Sequence, residues 1–489
     1  MNRRRIPAAL FALAGLLGFG ILPTAIAQAG NLSAGSGSAS AIPVLSTSPG
    51  ISPRFDWNQH DYAVRCENQA ITVSLAPPAG WHSRVGSRAT RAGSYQVKQN
   101  LRSDRAFSVL FSKGQSLRKR YWIRCLPTGF PPYRLQRFRP GGPRLTMIEM
   151  SRYAVAFDRA GVPVWWFLAS GDVNNAQFMD DGTFSYAPVN GFYSREFMIH
   201  RLDGKLVRKL EVANGLLTDV HDLIRLPNGN YMLGARRLVD NVDSSRFGGS
   251  PSATITTTQI QELSPSGRLV WKWNSWPRIG LGQTGRWWKT LVAGDQPYDV
   301  HHWNSVDRRG NRILLSFRHL DALLLIDRRS GRIRWKLGGV KTSKSLKIRK
   351  DPRGRYPLGG QHDARFAADG SVTVLDNSTG LANPRPRAVR YRIGGGRRTA
   401  TMVKQVLDPE VGFSLGFASA NLFGNDQWVV GWGATGRKGI VTGFTREGKI
   451  AYRLITPFNV SYRANAVTGG SPTVAQLRRA MNRMAARQG

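Results

Sequence analysis

The pattern of apolar and polar positions divides the chain into two β-rich parts. Residues 51–127 alternate apolar and polar side chains over short runs such as AITVSLA, SYQVKQNL, AFSVLFS and RYWIRC. A period of two buries one face of each run and exposes the other, as in a strand of an antiparallel sheet. This part of the chain therefore predicts a small β-sandwich over residues 51–130.

From about Arg134 onward, short β-like runs are separated by glycine turns of two alternating kinds. The first kind comprises Gly142, Gly182, Gly229, Gly310, Gly370 and Gly424, and the second comprises Gly161, Gly204, Gly267, Gly331, the region of Gly395, and Gly448. An aromatic residue often follows the second kind, as in DRAGVPVWWF and SPSGRLVWKW. Repeats with four strands each are typical of a propeller. We therefore predict an all-β fold, a six-bladed β-propeller over residues 131–465 preceded by the small N-terminal β-sandwich.

Three of these repeats carry a histidine in the same phase. His221, His302 and His362 each precede the first turn glycine of their repeat by eight residues. The first strand of a propeller blade lines the central channel. The three side chains are therefore expected to point toward one axis, at one end of the channel.

Alternation along a strand predicts which neighbours join these histidines. Asn304 is expected on the same face as His302, and His301 on the opposite face. The same reasoning directs Arg318 into the channel and His319 away from it. The predicted site is thus a cationic cluster of histidines and one arginine, with one amide.

The beginning of the chain resembles a secretory signal peptide. Arginines at positions 3–5 form a positive segment, an apolar stretch follows from Ile6, and two small-residue cleavage motifs end it. We expect residues 1–29 to be removed on export to the periplasm or the cell exterior. Retention as an uncleaved membrane anchor is the alternative. No stable membrane span is expected after cleavage.

The two cysteines, Cys66 and Cys125, are most simply one disulfide if the protein is exported. Each ends a similar phrase, YAVRC and YWIRC, which indicates two strands lying side by side. Before them, the Gly/Ser-rich residues 30–50 predict a linker.

The end of the chain, residues 466–489, predicts a basic helix or tail. Val474, Leu477, Met481 and Met484 share one helical face, with arginines opposite. Such a helix can touch a membrane or an acidic partner, but packing on its own domain is the favoured interpretation.

The formal net charge of +40 indicates attraction to anions. The charge is spread evenly, however, and the sequence has no motif of a nucleic-acid-binding fold. We therefore expect no nucleic-acid partner, and we expect anionic small molecules to be drawn to any cleft.

Several motifs, in order along the chain, resemble those of the bacterial arylsulfotransferases. They are HDLIRLPNGNYMLGAR, HHWNSV, LLSFRH, IDRRSGRIRWKLGG, QHDARFAADGSVTVLDN and VVGWG. The resemblance covers about residues 130–465, and the YAVRC…YWIRC domain also resembles a module of some members. It implies an exported enzyme that transfers a sulfuryl group from an aryl sulfate to a phenol, with no cofactor and no nucleotide sulfate donor.

The same resemblance implies roles for individual residues. His362 matches the nucleophile, which would form a sulfo-histidine in a ping-pong reaction. His221, His302, Arg318 and Asn304 match residues that stabilise the sulfuryl group. The chemistry is reasonable, because neutral imidazole is a competent nucleophile and a guanidinium donates two N–H groups to an anion.

Other functions remain open for the same cluster. A three-histidine zinc site is the main chemical competitor, but Arg318 would repel a metal ion, so we expect no metal. A calcium-dependent hydrolase would need channel carboxylates, and a quinone-dependent dehydrogenase would show different repeats. A non-catalytic propeller that binds sulfated or other anionic glycans is the alternative without catalysis.

Overall fold

The computed structural model describes residues 42–189, 195–382, 385–396, 398–436, 438–458, 462–467, 469–470 and 472–487. The predicted signal peptide, residues 1–29, lies outside the described residues, as does most of the predicted linker. No helix within the described ranges is long and apolar enough to cross a membrane.

Two sheets form the N-terminal domain. Its strands are β1 (Val44–Ser48), β2 (Asp61–Val64), β3 (Ala70–Ala76), β4 (His82–Val85), β5 (Arg91–Ala92), β6 (Tyr95–Asn100), β7 (Ala106–Lys113) and β8 (Leu117–Cys125). One sheet has the order β1-β3-β6, and the other has the order β2-β8-β7-β4-β5. The alternating run AITVSLA becomes β3, which buries Ile71, Val73 and Leu75 in a core shared with Phe111 and Tyr121.

Strand β1 lies within the stretch predicted as a linker, residues 30–50, and corrects that prediction. It pairs with β3 along its whole length, from Val44 opposite Ala76 to Ser48 opposite Thr72. The prediction was wrong here because a short strand with few apolar residues directly follows a Gly/Ser-rich segment. The pairing with β3 and the burial of Leu45, which is 1% exposed, were not visible in the composition.

Cys66 and Cys125 form the predicted disulfide, with their Cα atoms 5.6 Å apart. Cys125 ends β8 and Cys66 follows β2, and these strands pair in parallel with Val64 opposite Cys125. The bridge therefore joins two strands that lie side by side, as the repeated phrase indicated.

We expect replacement of both cysteines by alanine to lower the free energy of unfolding of this domain by about 2–4 kcal/mol, because the bridge closes a loop with a sequence separation of 59. Denaturant unfolding of the oxidised protein and of the Cys66→Ala/Cys125→Ala variant measures the difference. Two free thiols in protein recovered from an oxidising compartment would contradict the pairing.

The rest of the chain supplies the strands of the propeller. They are β9 (Arg134–Arg137), β10 (Leu145–Met150), β11 (Tyr153–Asp158), β12 (Pro163–Leu168), β13 (Asp172–Phe178), β14 (Thr183–Val189), β15 (Phe197–Arg201), β16 (Leu206–Leu210), β17 (Leu217–Arg225), β18 (Tyr231–Val242), β19 (Ala253–Leu263), β20 (Leu269–Asn274), β21 (Tyr298–Asp299), β22 (Trp303–Arg309), β23 (Arg312–Phe317), β24 (Ala322–Asp327), β25 (Ile333–Gly338), β26 (Lys347–Arg349), β27 (His362–Phe366), β28 (Val372–Asp376), β29 (Arg387–Gly394), β30 (Thr399–Val406), β31 (Ser419–Phe423), β32 (Gln427–Trp432), β33 (Gly439–Phe444), β34 (Ile450–Thr456) and β35 (Ala464–Val467). The α-helices are α1 (Trp288–Leu291) and α2 (Val474–Arg487), and short 3-10 helices span Ser245–Phe247, Leu281–Trp287 and Arg318–Leu320.

Within the described ranges, strands β9–β35 form six sheets arranged around one axis. The innermost strands are, in order, β35, β13, β17, β22, β27 and β31, and each contacts the next, with β31 returning to β35. This closed ring of radial antiparallel sheets confirms the prediction of an all-β propeller.

The first and last strands of the propeller, β9 and β35, close the ring. Strand β9 pairs with β34 at the outer edge of the last sheet, and β35 pairs with β10 at the inner edge of the first. Each end thereby covers a strand edge that would otherwise expose unpaired backbone groups. The ring extends to Val467, slightly beyond the predicted boundary at residue 465.

The aromatic residues that follow the second kind of turn link neighbouring sheets. The Trp165 indole N–H donates to the carbonyl of Leu202 at 2.8 Å, and that of Trp273 donates to the carbonyl of Gly331 at 3.0 Å. Each acceptor lies in a turn of the next sheet of the ring. The sequence repeat of glycine and aromatic residue therefore reflects contacts between sheets.

Helix α2 packs on the protein itself, as the sequence analysis favoured. Its Leu477 and Met481 are buried in the core of the first sheet. On the other side, Arg478 forms an ion pair with Asp61 of the N-terminal domain at 2.8 Å. The helix therefore connects the two domains.

Candidate functional site

The inner strands are irregular at the level of the predicted site. Register shifts interrupt β17 between Asp219 and Leu223, and β27 between His362 and Arg365, and β13 and β22 have similar shifts. A bulge bends a strand and redirects its side chains. The same level of neighbouring strands can therefore direct several polar side chains toward the axis.

The three predicted histidines converge at this level. The ring centroid of His221 lies 5.0 Å from that of His302 and 6.2 Å from that of His362. His362 is 2% exposed, whereas the side chain of His302 is 25% exposed. The cluster is therefore deepest at His362 and opens toward solvent near His302.

The hydrogen bond made by His362 defines its tautomer. Its Nδ1 lies 2.8 Å from the carbonyl oxygen of Ala418, and a carbonyl only accepts, so Nδ1 carries the proton. The Nε2 lone pair is buried without a hydrogen-bond partner among the described residues. Burial, aided by the positive charge of Arg463, holds the pKa of His362 well below its usual value. His362 therefore presents a neutral imidazole nitrogen at neutral pH.

His221 is held by a carboxylate. Its Nδ1 donates to Oδ1 of Asp219 at 2.5 Å. Burial would raise the pKa of Asp219, but the interactions with His221 and the charge of Arg236 together outweigh burial and lower it. An ionised carboxylate fixes the tautomer of its histidine and makes the other ring nitrogen a better base.

Asp299 organises a second histidine pair. Its carboxylate accepts from Nδ1 of His302 at 2.6 Å, and its backbone carbonyl accepts from Nδ1 of His319 at 2.5 Å. The two imidazole rings are 4.6 Å apart. Burial lowers the pKa of His302 and of His319 below the usual value, so both rings are neutral at neutral pH.

The position of His319 corrects the expectation that it faces away from the site. Strand β23 ends at Phe317, and Arg318 and His319 lie in a 3-10 turn, where successive side chains do not alternate. His302 itself has φ of +46° and precedes β22, so alternation does not apply to it either. Both Arg318 and His319 therefore reach the cluster.

Arg318 is held beside His319. Its Nη1 lies 3.2 Å from Nε2 of His319, and its Nη2 donates to the carbonyl of Leu415 at 3.0 Å. Its guanidinium carbon also lies 4.4 Å from the ring centroid of Trp287, a cation–π contact. Burial lowers the pKa of Arg318 to about 10, which leaves it charged at neutral pH.

The sequence analysis did not predict the hydrogen bonds that hold Trp287 beside Arg318. Trp287 belongs to a segment inserted between β20 and β21, and its indole N–H donates to Asp321 Oδ1 at 3.0 Å. Asp321 also accepts from Arg286 at 2.6 Å and from the backbone N–H of Gly360 at 2.7 Å. Asp321 thus connects Trp287 to the segment that leads into His362.

Asn304 and His301 lie close to the site, but their side chains are not part of the imidazole cluster. The Asn304 side chain donates from Nδ2 to the carbonyl of Gln361 at 2.7 Å, directly before His362. His301 is fully buried and its Nδ1 pairs with Ser275 Oγ at 2.8 Å, away from the other histidines. Asn304 therefore supports the backbone at His362.

A buried ion network lies beside the histidines. Asp222 accepts from Arg365 at 2.7 Å and from Arg463 at 2.5 Å, and Arg365 also pairs with Asp363 at 2.8 Å. Arg463, which immediately precedes β35, also donates to the carbonyl of Asn304 at 3.0 Å on the opposite inner strand. The network joins inner strands across the axis.

Tyr462 completes the wall beside His362 and was also missed. Its ring lies 5.5 Å from that of His362, and its hydroxyl donates to the carbonyl of His221 at 2.9 Å. The sequence signal was weak, since only the assignment of β35 as an inner strand would have directed attention to Tyr462. For Asp219 and Asp299 a signal existed, the repeated DVH motif.

A metal ion is the main competitor for this cluster. Potential ligand atoms of Asp299, His302 and His319 lie within 4.8 Å of one another. Both histidines already donate Nδ1–H to Asp299, however, and Nη1 of Arg318 lies 3.2 Å from Nε2 of His319. A guanidinium at this distance repels a cation, so the residues present do not suit a metal.

We expect protein purified without added metal to contain far less than one zinc, copper or iron ion per chain. Elemental analysis of the purified protein, before and after dialysis against a chelator, measures this content. A stoichiometric ion that resists dialysis would contradict the absence of a metal role.

Comparison with known proteins identifies a family for this chain. The model of the family "Arylsulfotransferase (ASST)" matches residues 135–459. No curated protein matches the sequence.

Two solved structures are similar to this chain at low sequence identity. The β-propeller domain of Cps50 (Swd1) from Myceliophteria thermophila is 11% identical, with a TM-score of 0.33, over 67% of this chain and all of its own. Hsv2 from Kluyvelomyces marxianus is 8% identical, with a TM-score of 0.30, over 76% of this chain and 92% of its own. We draw no functional conclusion from similarities this low.

The family match begins in β9, extends beyond β34, and takes in His221, His302, Arg318 and His362. It covers more than half of the chain, including nearly all of the ring of sheets. By this match the chain belongs to the arylsulfotransferase (ASST) family.

Proposed function

We propose that this protein transfers a sulfuryl group from an aryl sulfate to a phenol through a sulfo-histidine on His362. The observation that carries the proposal is the state of His362. Its Nδ1–H is held by the Ala418 carbonyl, and its buried, uncharged Nε2 is directed into a cluster of cationic and polar side chains. This is the arrangement that a nitrogen nucleophile needs for an anionic substrate.

In the first step, Nε2 of His362 attacks sulfur and the bond between sulfur and the aryl oxygen breaks. The leaving phenolate takes a proton from water, and the sulfated ring becomes cationic. The Ala418 carbonyl, 2.8 Å from Nδ1, stabilises that developing positive charge. In the second step, the acceptor phenol loses its proton, its oxygen attacks sulfur, and His362 is released unchanged.

His221 and His302 are suited to accept the proton that the acceptor phenol loses in the second step. Each is oriented by a carboxylate through Nδ1, which leaves Nε2 to exchange a proton. Because a phenol has a pKa of about 10, activation of the acceptor benefits from a positioned base.

Arg318 is proposed to bind the sulfuryl oxygens. The guanidinium is charged, half-buried, and held in one orientation by Trp287 and the Leu415 carbonyl. Preorganised donors of this kind stabilise charge on the transferring group without reorganisation during the reaction.

We expect Arg318→Lys to lower kcat/KM for transfer by roughly 10- to 100-fold, since lysine keeps the charge but loses the planar fork and the stacking on Trp287. Steady-state transfer from nitrophenyl sulfate to phenol measures the loss. Arg278→Lys is a matched control, because the guanidinium of Arg278 also stacks on a tryptophan, Trp273, outside the histidine cluster. Unchanged transfer by Arg318→Lys would show that Arg318 does not hold the sulfuryl group.

The test of the proposed function is incubation with nitrophenyl sulfate, with nitrophenol release followed optically and the protein followed by intact mass. Release of one equivalent of nitrophenol together with a mass gain of one sulfuryl group supports transfer. Binding without release would instead favour the alternative, a non-catalytic propeller for sulfated or other anionic glycans, which the cationic site could also accommodate.

Export to the periplasm or the cell exterior is part of the proposal. The disulfide supports it, because such bridges persist in oxidising compartments. Amino-terminal sequencing of protein recovered from the culture medium or periplasm tests removal of residues 1–29.

A further inference from the structure

One loop presents apolar side chains to solvent beside the site. It spans residues 407–418, between β30 and β31, at the end of the ring where the inner strands begin. Leu415 is 61% exposed and Phe413 is 49% exposed. Exposed apolar side chains are common singly, so their meaning depends on how they are held and on what they adjoin.

The loop is attached directly to the proposed reaction site. The carbonyl of Leu415 accepts from Nη2 of Arg318 at 3.0 Å and from Oγ1 of Thr379 at 3.1 Å. Three residues further along, the carbonyl of Ala418 accepts from Nδ1 of His362 at 2.8 Å. Leu415 therefore lies next to the group proposed to bind sulfuryl oxygens, while the same loop orients the nucleophile.

The buried Ser414 also anchors the loop to neighbouring parts of the propeller. The buried Ser414 hydroxyl donates to the carbonyl of Gly433 at 2.6 Å and accepts from Asn377 Nδ2 at 2.7 Å. This anchor lies between Phe413 and Leu415, whose side chains remain exposed. The apolar pair is therefore presented by a fixed backbone, so a ligand that covers it orders little additional chain.

We propose that Phe413 and Leu415 form an apolar wall that binds the ring system of the phenolic acceptor, so that fused-ring phenols are preferred over phenol itself. The inference rests on the proposed function, because it takes Arg318 and His362 as the sulfuryl end of the site. The aryl sulfate that such a phenol becomes has an anionic head and an extended aromatic body, which match a cationic cluster bordered by an apolar wall.

The test compares phenol with 2-naphthol as acceptors in the wild-type protein and in Leu415→Ser. We expect kcat/KM for 2-naphthol to fall about tenfold in the variant and that for phenol to change less than about twofold. Leu206→Ser is the matched control, because Leu206 is 44% exposed at the start of β16, the outer strand of a sheet that carries none of the three site histidines. An equal loss for both acceptors, or no loss for either, would overturn the proposal.

A binding measurement separates this inference from the proposed reaction. Titration calorimetry with 2-naphthyl sulfate and phenyl sulfate needs no turnover. Tighter binding of 2-naphthyl sulfate by the wild-type protein, lost in Leu415→Ser, supports the wall even if no sulfuryl transfer is found. Equal affinities of the wild-type protein for the two sulfates would overturn it even if transfer is observed.

Discussion

Replacement of His362 by alanine is expected to abolish the covalent sulfuryl adduct and to lower turnover by about 10³-fold or more, because no other imidazole occupies its position. Among the histidines of the cluster, His362 is the one whose Nδ1 donates to a backbone carbonyl while its Nε2 lacks a protein partner within the described ranges. Trapping with nitrophenyl sulfate, followed by mass spectrometry of the intact protein and its peptides, measures both effects.

The matched control for this experiment is His301→Ala. His301 is equally buried and adjoins His302 in the chain, but it pairs with Ser275 away from the cluster. Adduct formation should persist in this variant. An adduct that survives in His362→Ala, or that maps to His301, would show that the nucleophile is misassigned. His319 is unsuitable as a control, since its ring lies 4.6 Å from that of His302.

The low pKa of His362 also predicts how the rate of adduct formation depends on pH. Because burial keeps the imidazole neutral below the usual histidine range, adduct formation should not decline as pH falls through about 6.5. Rapid-quench measurement of the adduct in the wild-type protein tests this. A fall in the adduct rate centred near that pH would indicate that an unperturbed histidine is the nucleophile.

Asp222→Asn is expected to destabilise the propeller by about 3–5 kcal/mol, because it removes a charge that compensates the buried Arg463 and the partly buried Arg365. Asp222 is fully buried and accepts from both Arg365 and Arg463. Asparagine matches its shape, so the effect reports the charge rather than a cavity. Denaturant unfolding followed by tryptophan fluorescence measures the change.

The control for this second prediction is Asp61→Asn, which breaks the partly exposed ion pair with Arg478. Solvent screens this partly exposed pair more than the fully buried Asp222, so a smaller effect than that of Asp222→Asn is expected. Equal effects of the two substitutions would contradict the special role of the buried network.

The contribution of Asp222 to the stability of the fold is expected to change with pH in one direction. Burial alone would raise its pKa, but Arg365 and Arg463 outweigh burial and lower it to about 2. A carboxylate with a lowered pKa stabilises the fold above its unfolded pKa of about 3.9, and that contribution is lost as pH falls toward the folded value. The difference between the wild-type protein and Asp222→Asn should therefore shrink between a pH of about 4 and about 2.

Much of the fold could be predicted from the local pattern of the chain. The alternating runs and the two kinds of glycine turn reflect side-chain burial and hairpin turns, which recur along the repeats. The aromatic residues that often follow the second kind of turn reflect contacts between sheets. The Cys66–Cys125 pair was predictable for a similar reason, because its two strands carry the same phrase. The start of the N-terminal domain was not, because β1 gains its stability from β3, which is distant in sequence.

For the site, the sequence by itself determined which inner strands carry His221, His302 and His362, since one phase in successive repeats places them at one level. Only the tertiary structure decided which neighbours join them. The left-handed conformation of His302, the bulges in the inner strands and the 3-10 turn at Arg318 break the alternation on which the register argument depended, and so His319 enters the cluster. Tyr462 reaches the site from the residues just before β35, a strand that joins the first sheet only when the ring closes. Such contacts depend on backbone irregularity and long-range closure, which no local period encodes.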